Sequence, residues 1–213
     1  MLRHEKDIEQ TWGSHKPILQ AVMEVVKPQS VIECGCGYYS SPIIDSADRV
    51  LTIEHDLSWG ESIKKEFPDR DWLLHGFNNV HNGIRRPELT GEALVEIDSF
   101  YEGLVLEHAD FLFVDTFASA RVPAMIHLPK FADIVLLHDL EPNSPEFYCY
   151  DEFTMDGWHH YRFAPEGWVN EIHRIPWTDL YSREPLPSLQ AVIDREANKL
   201  WGLTAILEKI DGC

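Results

Sequence analysis

The sequence is short of basic residues, short of cysteine and free of long apolar runs. Lys and Arg together number 18 against 36 Asp and Glu, giving a formal net charge of -18. Binding a polyanion rests on neutralising phosphates with Lys and Arg, so no nucleic-acid partner is expected. An anionic membrane surface is disfavoured for the same reason. The adjacent basic pairs in the middle of the chain, Lys64-Lys65 and Arg85-Arg86, read as solvated surface. No apolar run approaches the length that spans a bilayer. The charged start, Met1-Leu2-Arg3-His4-Glu5-Lys6-Asp7, has no apolar segment behind it, so no secretory signal is expected. Cysteines at 34, 36, 149 and 213 form no spaced disulfide or zinc framework. Reduced thiols and a cytoplasmic location are the expectation. There is no internal repeat.

What is present fits one globular domain over residues 1–213: 44% hydrophobic and 25% charged residues are ordinary values. The organising stretch is Val31-Ile32-Glu33-Cys34-Gly35-Cys36-Gly37-Tyr38-Tyr39-Ser40-Ser41-Pro42. Val31-Ile32 reads as a buried strand, Gly35 and Gly37 as a tight loop, and Ser40 or Ser41 as a helix cap with Pro42 in the first turn. A strand, a Gly-x-Gly loop and a helix start make a nucleotide cradle. The next strand, residues 49–54, ends in Glu54 at roughly the 20-residue offset of a ribose-binding acid. Glu33 would repel a pyrophosphate and attract the ammonium and sulfonium of S-adenosylmethionine (SAM). The plain alternative for Glu33 is a structural salt bridge.

On these residues the chain resembles the class I SAM-dependent methyltransferases. Within them it is similar to small-molecule O-methyltransferases whose second strand reads Glu-His-Asp…Trp and whose fifth ends in His-Asp. The matching residues are Glu33, Gly35 and Gly37; Glu54-His55-Asp56 with Trp59; Phe113-Val114-Asp115; and Leu136-Leu137-His138-Asp139. The resemblance runs from Pro17 to Glu141. It implies SAM as cofactor, bound by Glu33, Gly35, Gly37, Ser40, Glu54, His55, Asn78 and Asp115, and chemistry at Asp115, His138 and Asp139.

The pattern along the chain agrees with a doubly wound α/β fold, mostly parallel, with an antiparallel C-terminal end. Residues 1–15 read as an N-terminal arm, in which Ser14 or His15 could fold over the cofactor, as the arm does in similar enzymes. Helices are expected over 17–26, 41–47, 57–67, 92–107, 122–131 and 186–210, the last docking on the domain or forming a homodimer face. Parallel strands are expected over 30–34, 49–54, 72–76, 109–115 and 134–139. Residues 77–91 are rich in turn-formers and read as a lid loop. Residues 142–185 are rich in aromatics and read as the substrate side, with antiparallel strands at 161–163 and 171–175.

Glu33, Glu54, Asp115 and His138-Asp139 all fall at carboxyl ends of expected strands, where ligands lie in open parallel sheets. Methyl transfer to oxygen needs an acceptor hydroxyl held in line and made more nucleophilic. Mg2+ or Mn2+ on Asp115 and Asp139 could do this, or His138 as a general base. Adjacent strand residues point to opposite faces, so His138 and Asp139 share a site only if the strand ends between them. The expected activity is methyl transfer to a hydroxyl of a small molecule, a sugar or phenolic metabolite. An NAD-dependent oxidoreductase and a non-catalytic SAM-binding scaffold are the alternatives.

Overall fold

A computed structural model of the chain describes residues 13–78, 80, 84–139, 149–165, 176–202 and 205–210. Its centre is a sheet of eight strands in the order β3-β2-β1-β4-β5-β7-β6-β8. β1 (Ser30–Cys34), β2 (Arg49–Glu54), β3 (Asp71–Leu74), β4 (Ala109–Val114) and β5 (Ala132–His138) are parallel. β7 (Thr178–Ser182) joins β5 antiparallel, followed by β6 (His159–Phe163) and β8 (Leu207–Ile210). This is the expected doubly wound sheet with an antiparallel end.

The near-continuous apolar runs of the central strands arise because both faces are covered. Ile32, Cys34, Leu112, Val114, Val135 and Leu137 face one core, with Ile97 and Tyr101 of a helix at Gly91–Glu102 and Ala120 and Ala124 of a helix at Ala118–His127. Val31, Phe111, Phe113, Ile134 and Leu136 face the other, with Ile18, Leu19 and Ile193. The helices in chain order are α1 (Lys16–Ala21), α2 (Ser41–Ile44), α3 (Leu57–Lys64), α4 (Gly91–Glu102), α5 (Ala118–His127) and α6 (Gln190–Trp201). Asp56 caps α3 by accepting the Trp59 amide at 3.0 Å.

Several expected boundaries move, each for a local reason. α1 loosens into a wider turn over Val22–Val26 and stops at Lys27, which takes a left-handed φ of 58° ahead of Pro28. α4 is capped by Gly103, and residues 104–108 are neither helix nor strand. α5 starts at Ala118, so Arg121 is inside the helix and buried. The helix expected over 186–210 is two elements. Gly202, with φ 69°, ends α6, and the chain returns as β8 against β6. The apolar face of α6, through Ile193 and Ala197, docks in the core shared with α1. The strand expected at 171–175 lies outside the described residues, and the segment that pairs β6 is 178–182. Of the N-terminal arm and the 142–185 segment, residues 1–12, 140–148 and 166–175 lie outside the described residues, as do 79 and 81–83 of the lid loop.

The hinge of the whole arrangement is Gly35. Its φ is +88°, and a Cβ there would fall 2.3 Å from the Asp115 carbonyl oxygen. Its amide donates to the Ile53 carbonyl at 2.8 Å, while the Asp115 amide donates to Cys34 at 2.8 Å. The sheet ladder thus continues one residue past the ends of β1 and β4, and the β1 loop lies directly on the end of β4. Gly35→Ala combines left-handed strain with overpacking against backbone. It is expected to cost about 3 kcal/mol and to lower Tm by roughly 6–12 °C in a domain of this size, measured by thermal denaturation.

Candidate active site

The glycine loop is held from below by Glu33, which is fully buried. Ser40 and Ser41 donate hydroxyls to its Oε1 at 2.9 and 2.8 Å. Thr52 and the Arg70 guanidinium donate to Oε2 at 3.2 and 2.8 Å. Arg70 also pairs with Asp45. Glu33 was expected to face a cationic cofactor. Instead it is enclosed by the chain, its charge matched by Arg70 and its acceptor positions filled. Ser40 likewise serves Glu33. Burial pushes the Glu33 carboxyl up, against Arg70 and the hydroxyls that pull it down.

Glu54 ends β2 beside the same loop and is almost enclosed. Its Oε1 accepts the amides of His55 and Asp56 at 2.7 and 2.8 Å. Its Oε2 accepts the Cys36 amide at 2.9 Å and the Cys36 thiol at 3.3 Å. A carboxylate offers about four acceptor positions, so all are taken by this chain's own groups. Three are backbone amides. The fourth, the thiol, is a weak donor and the one a hydroxyl can displace. Gly37 opens on free space, since a Cβ there meets nothing within 4 Å. The residues around the loop therefore fit the ribose and loop side of SAM at Gly37 and at one exchangeable position on Glu54, but not its ammonium at Glu33.

His55 turns inward. Its Nε2 lies 2.6 Å from the Tyr101 hydroxyl and its Nδ1 2.8 Å from the His75 carbonyl. Burial lowers its pKa to about 4, so the ring is neutral. Phe77, Phe100 and Phe117 surround it. Asn78 is exposed, and its amide and side chain bond Glu96 on α4. Arg86 is buried rather than solvated, pairing with Asp98 and with Glu152, so the described end of the 77–91 loop is pinned to α4.

The ends of β4 and β5 bring together what the sequence separated. Asp115, His138 and Asp139 meet there, with Arg121 from α5 and Ser14 and His15 from the turn before α1. Asp139 has a φ of 64°, an uncommon left-handed backbone that Asp tolerates better than most residues. The strand ends at His138 and the chain turns sharply, which puts both side chains in one site. Nη2 of Arg121 donates to Asp115 Oδ1 at 2.7 Å and lies 2.8 Å from Asp139 Oδ2. The guanidinium therefore occupies the space between the two carboxylates, and the expected Mg2+ or Mn2+ site on Asp115 and Asp139 does not fit. His138 Nδ1 lies 3.3 Å from Asp115 Oδ1 and 3.4 Å from Asp139 Oδ1, and its Nε2 is 2.7 Å from the Ser14 hydroxyl. Burial works to lower the His138 pKa, but Asp139 and Asp115 outweigh it and raise the value. Burial works to raise Asp139, and His138 and Arg121 hold it down at about 2. The carboxylates of Asp115 and Asp139 are 22% and 21% exposed, whereas the His138 ring is enclosed. An entering hydroxyl meets carboxylate oxygen, not imidazole, so His138 is not placed as a direct general base.

Arg70 and Tyr101 are the residues that sequence reasoning missed. Arg70→Met leaves Glu33 as a buried charge without its cation, which is expected to cost about 3–5 kcal/mol at pH 8. A buried carboxyl with a raised folded-state pKa favours folding at low pH and loses that advantage as pH rises. The loss in the variant is therefore smaller at pH 5, checked by denaturant unfolding at both pH values.

No protein-family model matches the sequence, and no curated protein matches it. Solved structures do share its fold. The N-methyltransferase NodS from Bradyrhizobium japonicum WM9 aligns at a TM-score of 0.51 and 9% identity, over 86% of this chain and 99% of its own. A methyltransferase-like protein from Silicibacter pomeroyi DSS-3 aligns at 0.47 and 12% identity, over 88% and 93%. An rRNA methylase from Streptococcus thermophilus aligns at 0.49 and 9%, over 79% and 94%. The chain has the fold of the class I methyltransferases.

Proposed function

We propose that the protein is a SAM-dependent methyltransferase acting on a hydroxyl of a small molecule. The observation that carries this reading is the meeting of Asp115, His138 and Asp139 at the carboxyl ends of β4 and β5. In an open sheet of this order that is where ligands bind, and Gly35 holds the nucleotide loop against Asp115. The fold shared with NodS supports the same class of chemistry.

When bound, SAM supplies a methyl carbon on a positively charged sulfur. Gly37 leaves room for it over the loop, and Glu54 accepts one ribose hydroxyl in place of the Cys36 thiol. Asp115 and Asp139 present partly exposed oxygens that accept the acceptor hydroxyl and orient its oxygen. Arg121 fixes both carboxylates, and the enclosed His138 braces them from the protein side. The acidic surface, at -18 overall, supports a small acceptor over a nucleic acid.

A non-catalytic reading, a SAM-responsive or scaffold domain, is favoured by one observation: Glu33 and Glu54 are both saturated by the chain itself. Two measurements separate the readings. Titration calorimetry should show SAM and its demethylated product binding and NAD not binding, with Glu54→Ala weakening SAM at least about tenfold. In a screen of small hydroxylated acceptors with labelled SAM, Asp115→Asn should lower turnover about a hundredfold or more while SAM still binds. Binding of NAD alone, or an active Asp115→Asn enzyme, would overturn the proposal. SAM binding with no turnover across the screen would favour the scaffold.

A further inference from the structure

His15 is the least explained side chain in the molecule. It is 2% exposed, and neither ring nitrogen has a hydrogen-bond partner among the described residues. Burying an imidazole with both nitrogens unsatisfied is costly, and native structures seldom leave one so without a missing partner. The ring is held firmly, tilted on Phe113 with centroids 5.0 Å apart and edge-on to His138 at 4.6 Å. Its Nδ1 lies 3.8 Å from Asp115 Oδ2. That is the oxygen Arg121 leaves to the other side, since Nη2 bonds Oδ1.

His138 adds a third donor. Its Nε2 is engaged with the Ser14 hydroxyl, and its Nδ1 is buried without a hydrogen bond, facing carboxylate oxygens. A lone pair there would be repelled by both acids. Nδ1 must therefore carry a proton or meet a cation. Donor atoms of His15, Asp115 and His138 all lie within 4.8 Å of one another. Metal bonds of about 2.0–2.2 Å place tetrahedral donors roughly 3.3–3.6 Å apart, so an inward movement of about an ångström closes the set around one ion. The Ser14 contact is the outer hydrogen bond that orients a ligating histidine.

We infer that His15, Asp115 and His138 form a binding site for one divalent transition-metal ion. Two imidazoles and one carboxylate suit Zn2+, Co2+ or Fe2+ and disfavour Mg2+, which prefers oxygen ligands. The site differs from a two-carboxylate one, because the space between Asp115 and Asp139 belongs to Arg121. In the methyl-transfer reading the ion would hold Asp115 in place and supply positive charge beside the hydroxyl that Asp115 and Asp139 receive. That role rests on that reading, whereas the binding of the ion does not.

The test uses the full chain, freed of metal by chelator dialysis, with no SAM present. Calorimetry with Zn2+ should give one site per chain, and Co2+ should give a visible d–d absorption band. Mg2+ should bind at least a hundredfold more weakly. His15→Gln should weaken Zn2+ at least tenfold, while His108→Gln, an exposed histidine elsewhere, should leave it unchanged. Zn2+ should raise the Tm of the wild-type chain and not that of His15→Gln, and circular dichroism shows whether the variant folds. If His15→Gln is unfolded, Asp115→Asn takes its place. No Zn2+ or Co2+ binding by the wild type, or binding unchanged in the variants, would overturn the site and leave a proton on His138 as the occupant. SAM binding is scored separately, so either proposal can fail alone.

Discussion

Arg121 ties together the ends of β4 and β5 just beyond Val114 and Leu137, the last pair of their ladder. Nε donates to the Thr116 carbonyl at 2.8 Å and Nη1 to the His138 carbonyl at 2.9 Å. Nη2 reaches the carboxylates of Asp115 and Asp139. Only a planar fork of donors can satisfy two backbone carbonyls and two acids at once; a lysine ammonium would reach fewer of them. The guanidinium can be buried because it is so fully matched. It also places a positive charge between two carboxylates that stand close together.

The same device recurs beneath the glycine loop, where Arg70 matches Glu33. There its effect on the expected picture is larger. Acids at strand ends suggested a negative hollow, but Glu33 is neutralised within the fold and Glu54 is wrapped in amides and a thiol. The exposed negative charge of the cleft therefore lies one strand pair further along, at Asp115 and Asp139. A ligand that enters meets acids supported by arginine and histidine. The electrostatic character of the site is set by β4 and β5 more than by β1 and β2.

Much of this was readable in advance. The alternation of strands and helices followed from apolar runs and helical periods, and residues at strand ends were candidates because of where open sheets bind ligands. The partner of Glu33 was not readable, because Arg70 lies 37 positions away and carries no local pattern. The shared site of His138 and Asp139 depended on a left-handed φ that no composition announces. Ser14 and His15 stood out only as odd residues in a polar arm; packing of α1 against the sheet puts them over β4 and β5. The end of α6 did have a signal. Gly202 follows Trp201, a usual helix stop, but the apolar residues beyond it continued a helical spacing well enough to hide the return of the chain.

That return has a consequence for how the sheet meets its surroundings. β8 forms the outermost rim beside β6, only Leu207–Ile210 long, with Glu208 and Lys209 facing water. A brief border strand bearing opposite charges offers a poor template for an incoming strand. The antiparallel rim of the described sheet thus offers an incoming strand only four residues, two of them exposed and of opposite charge.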